Sequence, residues 1–321
     1  MADQLNTAND VELNLVAAEL QAIDPDGDIV ARFIREAFDQ LLDGRRDGRF
    51  KYTDLNKVEK TFMGTLVEIK LQRGLGLESG SVTDYRIAGI EVDCKFSQKL
   101  NGWEIGPEIV GHICLVVTAN DAESTWKVGL IRADESRLGA ENRDKKRKLN
   151  PMGQASVKWL WGDHGRLAEN QLLQISKSDP DRCDRIMHAT GHYGRASGQA
   201  RLLQLVQEVQ GVALRRITIE TVGHGLDDPM KRLRGNGGAR EKLKQKGFLI
   251  LGHQENDPLV ARALNLPIPK KGEAVSVRVV PAPEPDDGRP VAEIEEGRWV
   301  IARHDEVEVV APTIPRGKNA L

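Results

Sequence analysis

The sequence predicts an α/β (α+β) protein built from two domains. Three observations predict it. Apolar residues recur at helical spacing over roughly the first seventy positions, and strand-like runs follow between about 85 and 133. A second block of helical signal then ends in another apolar run. At 321 residues the chain also exceeds what one ordinary core accommodates.

The elements follow in order. Asn9-Asp10 can cap a first helix in which Val11, Leu15 and Ala18 are apolar. Asp28 opens a second, where Ile29, Phe33, Ile34, Ala37, Phe38 and Leu41 recur, and Asp43-Gly44 stops it. Thr53-Asp54 starts a third, with Leu55, Val58, Phe62, Leu66 and Ile69 three or four residues apart and Glu68 beside that stripe. After Gly74-Leu75-Gly76 the pattern turns to strands: Ile87, then Ile90, Val92, Cys94 and Phe96 in alternation, then His112–Ala119 and Trp126–Ala133. A lysine-rich loop and a helix around Ala155–Trp161 close a mixed central sheet flanked by helices. Asp163-His164-Gly165-Arg166 reads as linker.

Beyond it, Gln199–Val209 is helical, Ile217–Val222 is a short segment, and a basic helical stretch, interrupted by a turn at Gly235, Gly237 and Gly238, lies within Met230–Lys246 before Phe248–Leu251. Helix, helix, basic helix, then strands is the order of a winged helix-turn-helix. The expected boundaries are 1–162, a linker at 163–171, and 172–321 with a mobile tail from Pro312.

Composition narrows the classes. No run of about eighteen uncharged apolar residues offers a membrane span. Met1-Ala2-Asp3-Gln4-Leu5 lacks a secretory n-region, and the three cysteines are far apart with no C-x-x-C pair. A reducing cytoplasm is the expected setting. The net charge of -2 decides nothing about nucleic acid, but basic charge is segregated. Glu141–Lys148 holds five basic residues against two acidic, and Arg201–Lys246 holds ten against five.

The chemistry centres on Asp84 and Asp93-Cys94-Lys95. Alternate strand residues share a face, so Asp93 and Lys95 project together with Glu91 in line, while Ile90, Val92, Cys94 and Phe96 face the core. Phosphodiester hydrolysis needs a divalent cation and a positive group near the developing charge. Carboxylate oxygens suit Mg²⁺ or Mn²⁺ rather than zinc. Glu68 is a further candidate ligand. The pattern is the P-D…(D/E)-x-K arrangement of many nucleases, with Thr83 in the proline's place.

In the basic stretch, Lys231, Arg232, Arg234, Asn236 and Arg240 are candidates for phosphate and base contacts. Leu41-Leu42-Asp43-Gly44-Arg45 is similar to the K-x-D-G-R of nucleotidyltransferase ligases. Leucine at the lysine's position has no amine to form the adduct, so that chemistry is excluded. Arg45, Arg46 and Arg49 stay as candidate phosphate contacts. His112 with Cys114 reads as core; His188, His192 and Tyr193 lack a third ligand partner.

Several segments together resemble the NaeI family of type IIE restriction endonucleases: Gly64–Ile69, Asp84–Gly89, Val92–Lys95, Met230-Lys231-Arg232, Asn236–Arg240 and Ile250–Gln254. The motifs fall in the same order in both halves. The resemblance implies a restriction-endonuclease-like domain followed by a CAP-like DNA-binding domain. It implies a homodimer cutting double-stranded DNA at a G/C-rich palindrome with Mg²⁺, Mn²⁺ able to substitute, and a second DNA copy activating through the C-terminal domain. Glu68, Asp84, Asp93 and Lys95 match the family's catalytic positions, and Glu68, Asp84, Asp93 and the Cys94 carbonyl its metal ligands. Two other readings stay open: a repair nuclease with the same centre, and a winged-helix regulator that cleaves nothing.

Overall fold

The computed structural model describes residues 10–162, 167–191, 194–195, 197–235, 237–285, 287–295 and 297–315. The chain forms two compact units. One holds the residues up to Leu42 with Lys51–Asn170, the other Asp43–Phe50 with the residues from Gln171 onward.

In the first unit, α1 (Val11–Ile23) is capped by Asp10, whose side chain accepts from Leu13 N at 3.0 Å. Ahead of α2 (Asp28–Leu42), the buried Asp24 carboxylate takes the Val30 N–H at 2.9 Å. The next turn, α3 (Gly44–Asp47), packs within the second unit and not with the helices around it in sequence. The Asp54 start predicted for the long helix is displaced. Tyr52–Asp54 is a single 3₁₀ turn, and α4 (Lys57–Leu75) begins after Asn56, which forms a capping box with Glu59. Two orphan donors satisfied together outweigh the lone Asp.

The sheet contains β1 (Glu78–Ser79), β2 (Tyr85–Ile87), β3 (Ile90–Ser97), β4 (Ile113–Asn120) and β5 (Thr125–Arg132). A separate hairpin, β6 (Leu138–Glu141) with β7 (Arg147–Leu149), is followed by α5 (Pro151–Ala155) and β8 (Lys158–Trp161). The order is β1-β2-β3-β4-β5-β8, antiparallel except for the parallel β3–β4 pair. The helix expected at Ala155–Trp161 is therefore mostly an edge strand. Asn150 and Pro151 start a helix early, and the bulky run Val157-Lys158-Trp159-Leu160-Trp161 pairs with β5 instead.

Each sheet face has its own core. Val92, Cys94, Leu115, Val117, Val128 and Leu130 pack with α1, α2 and α4. Cys114, Val116, Ile131 and Ala133 pack on the other side with Trp103, Ile105, Leu138 and Leu149.

The second unit runs α6 (Gln171–Ser178), α7 (Pro180–Met187), α8 (Gly198–Glu208), β9 (Ala213–Leu214) and α9 (Arg216–Val222). The basic segment Met230–Lys246 forms two short helices, α10 (Pro229–Arg234) and α11 (Ala239–Lys244), separated where Gly235, Gly237 and Gly238 interrupt the run. Then come β10 (Phe248–Leu251), α12 (Asp257–Ala263), β11 (Ala274–Pro281), β12 (Val291–Ile294) and β13 (Gly297–Ile301). They form an antiparallel sheet ordered β10-β11-β13-β12, with β9 also on β11. Gly44 of α3 lies so close to α9 that a Cβ there would sit 2.4 Å from the Thr221 hydroxyl. Among the described residues no helix is long and apolar enough to cross a membrane.

Candidate active site

Period two along β3 turns Val92 and Cys94 into the helix-side core and leaves Asp93 and Lys95 on the other face. The β2–β3 register pairs Tyr85 with Val92, so Asp84, one residue earlier, stands across from Asp93. Its Oδ2 accepts the Cys94 N–H at 2.6 Å. Lys95 Nζ lies 2.5 Å from Asp93 Oδ2. Two carboxylates and an ammonium thus gather on one sheet face, as the alternation predicts.

Glu68 comes from α4. Tyr85, fully buried, donates its hydroxyl to the Glu68 carbonyl at 2.9 Å and so fixes that helix turn against β2. Burial pushes the Glu68 carboxyl up, and the charges of Asp84 and Asp93 push it further, against the pull of Lys95. Asp93 is pushed up to about 6, first by burial, with Asp84 and Glu108 adding to it and Lys95 opposing. For Lys95, burial pulls down, but the Asp93 carboxylate outweighs it and the ammonium is held above its ordinary range.

Glu91, in line with Asp93 in sequence, does different work. Its carboxylate accepts the N–H groups of Ser81, Val82 and Thr83 at 3.0–3.1 Å, the Thr83 hydroxyl at 2.9 Å and the Arg86 guanidinium at 3.1 Å. Those donors hold it well below the usual carboxylate range. The loop that delivers Asp84 is therefore pinned to β3. Sequence reasoning missed this role for Glu91 and Thr83. Position 91's place in the alternation was visible, but the donors come from a turn that shows no periodicity.

Three carboxylates gathered near one ammonium, two of them (Glu68 and Asp93) pushed up by burial and by neighbouring negative charge, are a hard-oxygen donor set suited to a Mg²⁺-like cation. As the side chains stand, no three His, Cys, Asp or Glu groups among the described residues close to ion-holding geometry. Asp93 is turned to Lys95 and Asp84 to the Cys94 N–H. The structure brings Asp84, Asp93 and Lys95 together, and leaves Glu68 within electrostatic reach of them. The Cys94 thiol is buried in the core.

The basic candidates divide. Lys231 and Arg234 line a cleft of about 400 Å³ with Arg216 and Gln254. Burial, then the neighbouring Arg240 charge, lowers the Arg234 pKa. Arg240 itself is tied internally, to Asp257 at 2.7 Å and the Ile250 carbonyl at 2.6 Å. Arg45 donates to the Asp227 carbonyl at 3.1 Å, while Arg46 and Arg232 are exposed. Asn236, His192, Tyr193 and the linker 163–166 lie outside the described residues. Cys114 is buried core, as expected.

Comparison with known proteins identifies the family of the chain. The family description Restriction endonuclease NaeI matches residues 14–311. A relative from Lentzea aerocolonigenes, Type II restriction enzyme NaeI, is 48% identical over 307 residues, covering 96% of this chain and 95% of that protein. The chain belongs to the restriction endonuclease NaeI family and is a site-specific deoxyribonuclease.

Proposed function

We propose that the chain hydrolyses both strands of duplex DNA at a G/C-rich palindrome, as a cytoplasmic homodimer that uses Mg²⁺, with Mn²⁺ able to substitute. The observation that carries this reading is the grouping of Asp84, Asp93 and Lys95 on one face of β2–β3. Asp84 and Asp93, with Glu68 and the Cys94 carbonyl, would hold the ion, which when bound polarises the phosphoryl oxygen and acidifies an attacking water. Asp93 serves as ligand in its carboxylate form. Lys95 Nζ, held charged beside it, meets the negative charge that grows on the phosphoryl oxygens. The Glu91-pinned loop keeps Asp84 in place, so little reorganisation is left for the reacting state.

The C-terminal unit is read as a CAP-like winged helix-turn-helix that binds a second DNA copy as activator, the type IIE arrangement. The succession α8, α9, α10, α11 and the β10–β11 antiparallel pair supports that reading, as do the exposed Lys231 and Arg232 on α10. Arg45, Arg46, Arg234, Asn236 and Arg240 complete the proposed DNA contacts, Arg240 by shaping the cleft beside Arg234.

The test is direct. Purified protein with plasmid and Mg²⁺ gives discrete fragments that a chelator suppresses, and Asp93→Ala or Lys95→Ala abolishes them with the fold retained by circular dichroism. Fragments from either variant would rule out this centre.

A further inference from the structure

The β6–β7 hairpin stands apart from the sheet that carries the active site, and its tip holds the densest positive charge in the first unit. Lys145, Lys146 and Lys148 are exposed, and none pairs with a carboxylate among the described residues. Arg143 pairs only with its neighbour Asp144, with 93% of its side chain exposed. Arg147 is different. Its guanidinium is spent on the Gly139 carbonyl at 2.8 Å and Glu135 at 2.5 Å, so it braces the hairpin from inside.

The tip is rigid. Asn142 Oδ1 accepts the N–H groups of Asp144 at 2.9 Å and Lys146 at 3.0 Å, and backbone bonds close Asn142 onto Lys146 and Lys145 onto Asn142. Lys145 sits at φ 59°, the left-handed region that strains a residue with a side chain. A solvated turn would be served better by glycine there. At the base, Leu138 and Leu149 enter the core of Trp103, Ile105, Cys114 and Val116, and Ile105 exchanges two 2.9 Å backbone bonds with Arg147.

Placement gives this charge a direction. In the parallel β3–β4 pair, Asp93 is beside Cys114 and Lys95 beside Val116. Cys114 and Val116 point into the same core that seats the hairpin, so hairpin and catalytic carboxylates share one sheet face. The surroundings of Lys95 are otherwise acidic: Asp84 and Asp93 stand beside it on that face, Glu68 of α4 lies within electrostatic reach, and Glu108 acts on Asp93. A polyanionic duplex approaching that face meets repulsion unless fixed cations stand nearby.

We infer that the β6–β7 hairpin is a backbone clamp, in which Lys145, Lys146 and Lys148 grip phosphates of the duplex being cut, away from the scissile ester. The inference rests on the nuclease reading above. It adds a substrate-binding element within the catalytic unit itself, independent of the basic helices of the second unit.

The test combines the full-length triple variant Lys145→Gln/Lys146→Gln/Lys148→Gln with the parent and the corresponding triple Arg variant. Cleavage of a cognate duplex is followed in Mg²⁺, and duplex binding across about 50–200 mM salt. In the Gln variant KM rises roughly tenfold or more with kcat near the parent value. The slope of log affinity against log salt falls by about 2.7, about 0.9 for each phosphate no longer neutralised. The Arg variant restores both, and an unchanged Tm in all three excludes a folding defect. An unchanged slope, or a fall in kcat alone, in a parent that cuts overturns the clamp. A parent that cuts no duplex overturns the nuclease reading beneath it.

Discussion

At the scale of single residues, the site balances burial against charge. Asp93 is pushed up to about 6 from an ordinary value of 3.8 because burial outweighs the nearby Lys95. The folded chain therefore binds more protons than the unfolded chain between about pH 4 and 6, and this carboxyl's contribution to stability is lost as pH rises through that window. Uptake of a divalent ion runs the opposite way, since it needs the Asp93 carboxylate, and is expected to weaken as pH drops and Asp93 takes up a proton. Carbon-13 NMR of labelled aspartate checks the midpoint. Lys95→Met moves it further up, since the opposing cation is gone; a downward shift would contradict the assignment. For Glu91→Gln, the loosened 80–83 loop should cost up to about 100-fold in kcat with KM near the parent value, because Asp84 is no longer held in register. Steady-state kinetics decides it, and an unaffected kcat would show that Asp84 holds its place without Glu91. The Asp84 and Asp93-Cys94-Lys95 signal was legible because strand alternation alone places Asp93 and Lys95. The Glu91 role was not, since a carboxylate's partners in a turn obey no period.

Among the elements, α2 is locked to the end of β4 by a buried charge pair. Arg35, 2% exposed, binds Asp121, also 2% exposed, and reaches Asp39 at 2.8 Å. Asn170 adds a 3.0 Å bond to the same Asp121 carboxylate. Arg35→Met strands that carboxylate with an amide as its remaining described partner, and is expected to cost roughly 3–5 kcal/mol in chemical denaturation. A loss below about 1 kcal/mol would mean the pair is solvated in solution. Long periodic runs such as α2, α4, β4 and β5 were legible from the residues they bury. Their ends were less so. Asn56 outcompeted Thr53-Asp54 because its partner Glu59 completes a reciprocal cap, and β8 was hidden because four residues with two tryptophans suit either period.

For the whole molecule, length and the two blocks of pattern predict two bodies; the chain forms two compact units, the second taking in Asp43–Phe50 as well as the residues from Gln171. If the second body reads DNA as proposed, Lys231→Ala with Arg234→Ala weakens duplex binding and lowers the salt slope by about 1 for each phosphate left without its cation. Single-turnover cleavage at saturating duplex should stay near the parent rate, which separates this effect from damage to the carboxylate centre. What length and pattern did not announce is the path of the chain. Residues 43–50 leave the first body, and Phe50 packs into the core of the second before the chain returns at Lys51. Such a detour is set by packing against residues more than a hundred positions away, which no local window samples.

That detour governs how the protein can be taken apart. A gene fragment starting at Gln171 would lack the turn whose Gly44 nestles against Thr221, and would bare the apolar seat of Phe50 to water. A chimera meant to transplant the second body must carry residues 43–50 as well, through a second splice. Heredity faces the same constraint as the engineer: a single recombination joint cannot trade one body without injuring the other.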